Sequence, residues 1–358
     1  MSNHSWSHTI RMIFFSCLLG GVAGVLGAAL TTAYLSDYAI GLGNVSQNLG
    51  LSQPRPRMIP ETYAQALDVL QERALPAIGS LFSASSISET GITIAQAQAS
   101  VMALTSDGWV LSQTGRLGDK IAFASQTCEV DDALFEPLFG FVFLHCASSD
   151  RLVVDFAPGY DIEAGDQLFV VNDGEVVFTQ ARAVVWGDAV RSSDIPSRRI
   201  LLTNDAAVRK GAAVFNVFGE FVGVVHEGDE GIEVVPFEQL AGAFRQVLES
   251  VDTITYPSLG VRGIDLARTV GVSEDVSQGR HVGFVLYGPR AVPFGSAAQK
   301  AGLQVGDILL SVEGVTINGT YALDDLLTSY SAGQEIRVEI ERDGSQQEVI
   351  VTLGELEI

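Results

Sequence analysis

The sequence predicts a mainly β protein with one long apolar helix near its N-terminus and a smaller α+β module at its C-terminus. Residues 12–36 contain no charged side chain and are long enough to cross a bilayer as a helix. From Ile78 to about Val235, short apolar runs rich in β-branched and aromatic residues alternate with turn signals, which is typical of an all-β barrel or sandwich. From Tyr256 onward, four strand-like segments are interspersed with two helical ones.

The composition limits the classes of function that the chain can have. Its 358 residues include 43 Asp and Glu against 21 Lys and Arg, which gives a formal charge of -22. This acidity argues against a nucleic-acid partner, because contacts to phosphate require Lys or Arg. Since 47% of the residues are hydrophobic, the chain is not disordered throughout, and its length gives room for two or three domains.

The charges that flank the apolar segment predict its orientation. Arg11 precedes it and Asp37 follows it, which favours a cytoplasmic segment 1–11, a transmembrane helix 12–36 and a body in the periplasm or another extracytoplasmic space. A cleaved signal sequence stays open as the alternative, because the end of the segment is rich in small residues. Residues 37–60 contain three prolines and no regular periodicity, and they predict a linker.

The body is predicted to be framed by two helices. Apolar positions recur at helical spacing over residues 61–76 and again over residues 238–251, on either side of the β region. Residues 61–255 are therefore expected to form one domain and residues 256–358 a second. In the second domain, helical segments are expected at 295–301 and 321–331.

The second domain carries a specific motif. Residues 292–314, VPFGSAAQKAGLQVGDILLSVEG, resemble the core of a bacterial PDZ domain, and the resemblance extends over nearly the whole module. The physical pattern agrees with it, because glycines fall where turns are needed. Ile308, Leu310 and Val312 alternate along a strand, which predicts one buried face.

The PDZ resemblance implies a peptide ligand. The segment YPSLGV resembles the family's carboxylate-binding loop, which turns backbone N–H groups toward a peptide C-terminus, while the next strand pairs with the peptide. It implies that Leu259, Gly260 and Val261 hold the carboxylate, and that residues 262–266, including Arg262, Gly263 and Ile264, receive the peptide. Candidates for apolar specificity contacts, or alternatively for core packing, are Leu323, Leu326, Leu327 and Tyr330. The implied ligand is a protein C-terminus with an apolar last residue.

The first domain resembles the trypsin-like protease of the HtrA family in its membrane-tethered arrangement. The resemblance is carried by SDGWVLSQTG and LLTNDAAVRKGAAVFNVFGEFVGVV, and it implies a double β-barrel. Serine-protease chemistry requires a nucleophile, a base and a carboxylate behind the base. At the corresponding positions this sequence has Gly115, Gly140 and Lys210, so a degenerate barrel without a triad is expected.

Other chemical sites have little support in the sequence. His226 lies beside Glu227, but no nucleophile elbow accompanies it, and the His and Cys residues lack zinc-site spacing. Phosphate-loop and dinucleotide motifs are also missing, so no metal or cofactor is predicted. Cys128 and Cys146 are expected either to pair as a disulfide in an exported protein or to stay as buried thiols in a reducing compartment.

These patterns predict a membrane-anchored, exported pseudoprotease that binds protein C-termini and regulates or scaffolds an envelope protease or protein quality control. The family resemblance implies a homo-oligomer, with a trimer as the first expectation, or an assembly with an active protease. Two other functions stay open. One is an active serine endopeptidase with a nonstandard site, and the other is a structural scaffold protein.

Overall fold

The computed structural model describes residues 59–83, 93, 96–112, 119–124, 126–147, 151–157, 161–172, 174–203, 208–228 and 231–358. The predicted membrane-spanning helix 12–36, most of the linker 37–60 and Gly115 lie outside these residues. Within the described ranges, no helix is long and apolar enough to span a bilayer. Residues 54–358 form one compact unit, and all contacts described below are made within it.

Helix α1, Tyr63–Arg73, leads into the first sheet. Its N-terminus is capped by side chains, because the Thr62 hydroxyl accepts the Gln65 N–H at 3.3 Å while the Gln65 side chain accepts the Glu61 N–H at 2.8 Å. The helix buries Ala66 and Leu70. A 3-10 turn, Leu75–Ala77, with Pro76 inside it, then ends the helix and turns the chain into the first strand.

The first half of the β region is a seven-stranded antiparallel sheet in the order β5-β4-β1-β2-β3-β7-β6. Its strands are β1 Ile78–Phe82, β2 Ala99–Ala103, β3 Trp109–Ser112, β4 Lys120–Ala122, β5 Thr127–Glu129, β6 Asp132–Phe135 and β7 Val142–His145. A double barrel was expected, but in the described residues only the second half is a closed barrel. In the first half the sheet is open, and its two edge strands are β5 and β6, which are consecutive along the chain.

The closed barrel has the strand order β11-β14-β13-β12-β8-β9. Its strands are β8 Gln167–Asn172, β9 Glu175–Trp186, β11 Arg198–Leu202, β12 Ala213–Asn216, β13 Phe221–Gly228 and β14 Gly231–Pro236. Its core is aliphatic, with Leu168, Val170, Val214 and Val225 almost fully buried. Helix α2, Glu238–Leu248, follows the barrel, as predicted.

The C-terminal domain is a second antiparallel sheet with short helices. Its strands follow the order β10-β16-β17-β18-β20-β21, with β19 paired to β18 and a separate pair β15-β22. The bounds are β10 Val190–Ser192, β15 Pro257–Ser258, β16 Arg262–Asp265, β17 Phe284–Leu286, β18 Ile308–Val312, β19 Val315–Thr316, β20 Glu335–Arg342, β21 Ser345–Thr352 and β22 Gly354–Glu355. The helices are α3 Glu274–Ser277, which was not predicted, and α4 Ala297–Lys300 and α5 Leu323–Leu327, which are shorter than predicted.

Strand β18 corrects one prediction. It was expected to bury one face, but all five of its residues are buried. Leu309 and Val312 belong to the main core of the domain, whereas Ile308 and Leu310 belong to a second cluster. That second cluster is covered in part by Val190, which comes from the first domain and whose position the sequence pattern does not predict.

Candidate peptide-binding groove

The loop Leu259–Val261 presents consecutive backbone N–H groups to one point. The side chains of Leu259 and Val261 are buried in the domain core, so the main chain of the loop is left to form the site. Gly260 has φ +72°, and a Cβ on it would lie 2.6 Å from the Cβ of Ser296. Glycine is therefore required here, both by the backbone conformation and by the close approach of Ser296.

A carboxylate already occupies this loop, and it belongs to Asp194. Its Oδ1 accepts the N–H groups of Leu259 at 3.0 Å and of Gly260 at 3.1 Å, and its Oδ2 accepts the Gly260 N–H at 3.0 Å. The Ser258 hydroxyl donates to Oδ2 and the Ser193 hydroxyl donates to Oδ1, both at 2.6 Å. Asp194 is 8% exposed. The loop thus binds an anion through oriented N–H and O–H dipoles.

The segment around Asp194 runs along the edge of the domain as an added strand. Strand β10 pairs antiparallel with β16, with Ser192 opposite Arg262, Arg191 opposite Gly263 and Val190 opposite Ile264. The Ser193 N–H donates to the Val261 carbonyl at 3.0 Å, and the Val261 N–H donates to the Ser193 hydroxyl at 3.2 Å. This is the hydrogen-bonding scheme of peptide recognition by strand addition.

The residues predicted to receive a peptide are brought together around β10. Arg262 is exposed, whereas Gly263 and Ile264 are buried. A Cβ on Gly263 would lie 2.1 Å from the Val285 carbonyl oxygen, so glycine lets β16 approach β17 closely. Of the helix candidates, Leu323 and Leu327 lie in the domain core, and Leu326 and Tyr330 pack against that core while partly buried.

Buried charges fix both ends of the added segment. Arg191 Nη2 lies 2.6 Å from Asp265 Oδ2, which Arg268 also contacts at 2.6 Å, and all three side chains are at most 7% exposed. Beyond Asp194, the Ser197 N–H and hydroxyl donate to Asp324 on α5 at 2.9 and 2.5 Å. Arg191 and Arg268 neutralise Asp265 and Asp324, whereas the charge of Asp194 is stabilised by the N–H and O–H dipoles of the loop.

Helix α5 is linked to the barrel and to α2 through Asp325. Its carboxylate lies 3.5 Å from Arg198 Nε and accepts a hydrogen bond from Gln239 at 3.0 Å. Burial raises the pKa of Asp325, and the charge of Arg198 opposes that rise. Helix α5 is therefore held against the first domain by Arg198 and Gln239. Separating them from Asp325 would expose or unpair a buried charge.

Two of the three positions expected for a protease triad, Gly140 and Lys210, lie in the described part of the first domain. Gly140, with φ +74°, sits in the turn between β6 and β7, and Lys210 precedes β12. Phe139 and Phe141, which flank Gly140, have ring centroids 6.2 and 6.3 Å from that of His226. Burial lowers the pKa of His226, with smaller effects from the surrounding charges, including the positive charge of Lys210. Two aromatic rings, two cations and two carboxylates thus lie around His226.

The turn that carries Gly140 is held by Glu136. Its carboxylate accepts the N–H groups of Leu138 at 2.8 Å and Phe139 at 2.9 Å, and the hydroxyl of Tyr256 at 2.6 Å. Burial raises the pKa of Glu136, and the hydrogen bond from Tyr256 partly offsets this effect. Burial and the neighbouring Glu136 place the pKa of Tyr256 well above its usual value.

Cys128 on β5 and Cys146 after β7 are joined as a disulfide in the structure, with their Cα atoms 5.7 Å apart. Arg151 lies beside the bond, with Nη2 3.1 Å from the Cys128 sulfur and Nη1 3.3 Å from the Cys146 sulfur. The bond connects the β5 edge of the first sheet to the chain that leaves β7. The oxidation state of these cysteines in the protein stays a prediction, which mass spectrometry without reductant would test.

Sequence reasoning missed Asp194 and Ser193. Their loop, residues 187–197, connects two strands that pair directly in the barrel, where Trp186 is opposite Arg198. Connections between paired antiparallel strands usually have two to about five residues, and this one has eleven. The excess length was the available signal, although it does not say where the loop lies. We refer to residues 187–197 as the inserted loop.

Fold and groove together define a protein with a trypsin-like protease fold followed by a PDZ domain. Residues 257–353 match the PDZ domain family. The fold is shared with a solved structure described as "HtrA-type protease AlgW with decapeptide", which is 14% identical at a TM-score of 0.52, over 83% of this chain and 99% of that one. A tripeptide complex of the same protease is 17% identical at a TM-score of 0.51, over 83% and 98%.

The chain is homologous to the HtrA/DegP serine proteases. A "Probable periplasmic serine protease do/HhoA-like" of Haemophilus influenzae is 31% identical over 175 residues, 45% of this chain and 35% of that protein. The "Periplasmic pH-dependent serine endoprotease DegQ" of Escherichia coli is 27% identical over 163 residues, 42% and 34%. A "Probable periplasmic serine endoprotease DegP-like" of Ectopseudomonas mendocina is 25% identical over 284 residues, 73% and 57%. The chain thus spans between about a third and three fifths of the length of these relatives.

Proposed function

We propose that this protein is an exported, membrane-anchored pseudoprotease that binds exposed protein C-termini through its PDZ groove. The observation that carries the proposal is the carboxylate held by the N–H groups of Leu259 and Gly260. A peptide C-terminus offers the same two oxygens together with a strand that can pair with β16. Hydrogen bonds to a charged acceptor are stronger than neutral ones, so the loop favours an ionised C-terminus.

The loss of proteolysis is proposed from the residues at the expected triad positions. Gly140 supplies no carboxylate, and Lys210 supplies no hydroxyl nucleophile. Gly115, the position expected for the histidine, has no side chain to act as a base. The barrel then serves as a docking or assembly surface rather than as an enzyme.

The cellular setting is proposed from the relatives and the sequence. The relatives named above are described as periplasmic, which supports a body outside the cytoplasm. Residues 12–36 form the membrane anchor in this proposal, and the protein assembles as a homotrimer or together with an active protease. Its role is to regulate or scaffold an envelope protease or protein quality control.

Peptide binding tests the proposal. Full-length protein in detergent is titrated with fluorescent peptides that end in an apolar residue, each as the free acid and as the C-terminal amide. We expect the free acids to bind at least ~10-fold more tightly, because an amide loses the charge-assisted hydrogen bonds. The measurement is repeated on Asp194→Ala, in which the loop has lost its resident carboxylate. Equal binding of acid and amide in both proteins would rule out carboxylate capture.

A serine-reactive fluorophosphonate probe tests the noncatalytic part of the proposal. We expect no covalent labelling of the full-length protein under conditions that label trypsin. Stoichiometric labelling, located on one serine by mass spectrometry, would instead establish an active serine hydrolase with a nonstandard site.

A further inference from the structure

We propose that Val190–Asp194 is an internal ligand that keeps the PDZ groove closed, and that a peptide C-terminus binds only by displacing it. This inference rests on the proposed function, since it concerns the regulation of the same groove. The occupant comes from the inserted loop of the barrel and not from the PDZ domain itself.

The internal segment uses the atoms that a peptide would need. Both oxygens of Asp194 are bonded to loop N–H groups, and the Val261 N–H is taken by the Ser193 hydroxyl. Leu259, Gly260 and Val261 therefore have no N–H left for a second carboxylate. Asp194 and a peptide C-terminus are mutually exclusive ligands of the loop.

The edge of the sheet is occupied in the same way. Strand β16 pairs with β17 on one side and with β10 on the other. Strand addition requires an unpaired edge, and β16 has none while β10 is in place. A peptide must therefore replace the backbone hydrogen bonds of β10 as well as the carboxylate of Asp194.

The segment can leave without unfolding the barrel. The inserted loop begins and ends at a pair of opposite residues, Trp186 on β9 and Arg198 on β11. The barrel is closed by β9 and β11 themselves, so none of its strands includes residues 187–197. Displacement would cost the contacts of Arg191 with Asp265 and of Ser197 with Asp324, and it would leave the barrel hydrogen bonds intact.

Tethering makes the internal segment a strong competitor. A ligand joined to its site by a short connection acts at an effective concentration on the order of mM. The apparent affinity for a free peptide then falls in proportion to the fraction of molecules with an open groove. Weakening the internal ligand should raise peptide affinity without changing any residue of the PDZ domain.

Removal of the Asp194 carboxylate is the first test. Fluorescence anisotropy is measured with a free-acid peptide that binds wild type, on the full-length wild type, on Asp194→Ala and on the control Asp188→Ala. Asp188 is an exposed aspartate in the same inserted loop, and its replacement changes the net charge equally. We expect Asp194→Ala to bind at least ~10-fold more tightly than wild type, and Asp188→Ala to bind like wild type.

A covalent lock tests the same idea in the opposite direction. Ser192 and Arg262 are opposite one another on β10 and β16, a separation that suits an engineered disulfide. The double variant Ser192→Cys, Arg262→Cys should lose peptide binding when oxidised and regain it when reduced. Wild type under the same reductant controls for the native cysteines Cys128 and Cys146. This variant leaves Asp194 in place, so it remains informative if Asp194→Ala folds poorly.

The outcomes separate the two proposals. Tighter binding in Asp194→Ala together with loss of binding in the oxidised lock supports the internal ligand. Equal affinity of wild type, Asp194→Ala and the oxidised lock for a free-acid peptide would overturn it, while leaving the proposed C-terminus binding intact. Equal binding of acid and amide in every variant would overturn the proposed function instead.

Discussion

Glu136 shows how one buried carboxyl group can link two parts of the molecule. It is fully buried, and it receives N–H groups from its own turn and the hydroxyl of Tyr256 at the start of the PDZ domain. Burial favours its protonated form, so its pKa lies above the ordinary value of 4.5. The turn that carries Gly140 is thus tied to the PDZ domain through a group that titrates.

This gives a prediction for stability against pH. Because the folded state holds the Glu136 proton more tightly than the unfolded state, its contribution to the free energy of unfolding is full below pH 4.5. That contribution is lost as pH rises through the raised folded-state pKa, where the free energy of unfolding falls by at most about 1.4 kcal/mol for each pH unit. We expect Glu136→Gln to remove this part of the slope in urea unfolding measured from about pH 4 to about pH 8.

Tyr256→Phe provides the comparison for that measurement. It removes the hydrogen bond that lowers the pKa of Glu136, while the aromatic ring stays in place. The loss of stability with rising pH should therefore extend to higher pH in Tyr256→Phe than in wild type. Identical slopes in wild type, Glu136→Gln and Tyr256→Phe would show that Glu136 does not titrate in this way.

At the scale of elements, helix α2 packs against α5 and the residues that follow it. Gly242 of α2 approaches the main chain just after α5, and a Cβ built on Gly242 would lie 2.1 Å from the Thr328 carbonyl oxygen. Arg245 of α2 donates to the Ser329 carbonyl at 2.7 Å, and Gln239 donates to Asp325. A glycine inside a helix is usually unfavourable, and here it permits backbone-to-backbone contact between two domains.

Gly242→Ala should therefore lower the free energy of unfolding, although alanine has the higher helix propensity. In a solvent-exposed helix the change would stabilise by up to about 1 kcal/mol, but here the added methyl must push α2 and the PDZ domain apart. We expect a net loss of about 1 to 3 kcal/mol in the free energy of unfolding, in the range measured for overpacked cores. The matched variant Ala241→Gly, one residue earlier, should lose only about 1 kcal/mol by propensity. A more stable Gly242→Ala protein would contradict the close approach.

For the molecule as a whole, local patterns in the sequence predict the elements better than their contacts. The barrel strands follow from short apolar runs, and the carboxylate-binding loop follows from the Leu259–Val261 motif, because both are encoded locally. The position of Asp194 is not encoded locally. Asp194 is 65 residues from Leu259 in the sequence, and VRSSD has no periodicity that marks it as a strand. Only the packing of the barrel against the PDZ domain reveals it.

The same reason explains β18. Alternation in the sequence predicts one covered face, and the second face is covered in part by Val190, a residue from another domain. The burial of residues at a contact between domains depends on a partner surface that is remote in sequence. Sequence patterns therefore predict the loop that holds a carboxylate, and they miss Asp194, which supplies that carboxylate.

The rate of trypsin cleavage after Arg191 should show whether β10 is paired with β16 or displaced from it. Trypsin cleaves extended, accessible chain after Arg or Lys, and Arg191 is 8% exposed while β10 is paired. We expect cleavage after Arg191, followed by mass spectrometry, to be slow in wild type and to become faster when a saturating C-terminal peptide is present. A rate that does not respond to peptide would contradict displacement.

A cut at that bond would also leave a distinctive product. The two new ends would emerge next to one another from Trp186 and Arg198, which stay paired in the barrel. The nicked chain should therefore remain folded and migrate as one particle, separating into two fragments only in denaturant. A protease that shares the protein's compartment could in this way divide the internal ligand permanently, leaving Val190 and Arg191 attached to β9 and Asp194 attached to β11.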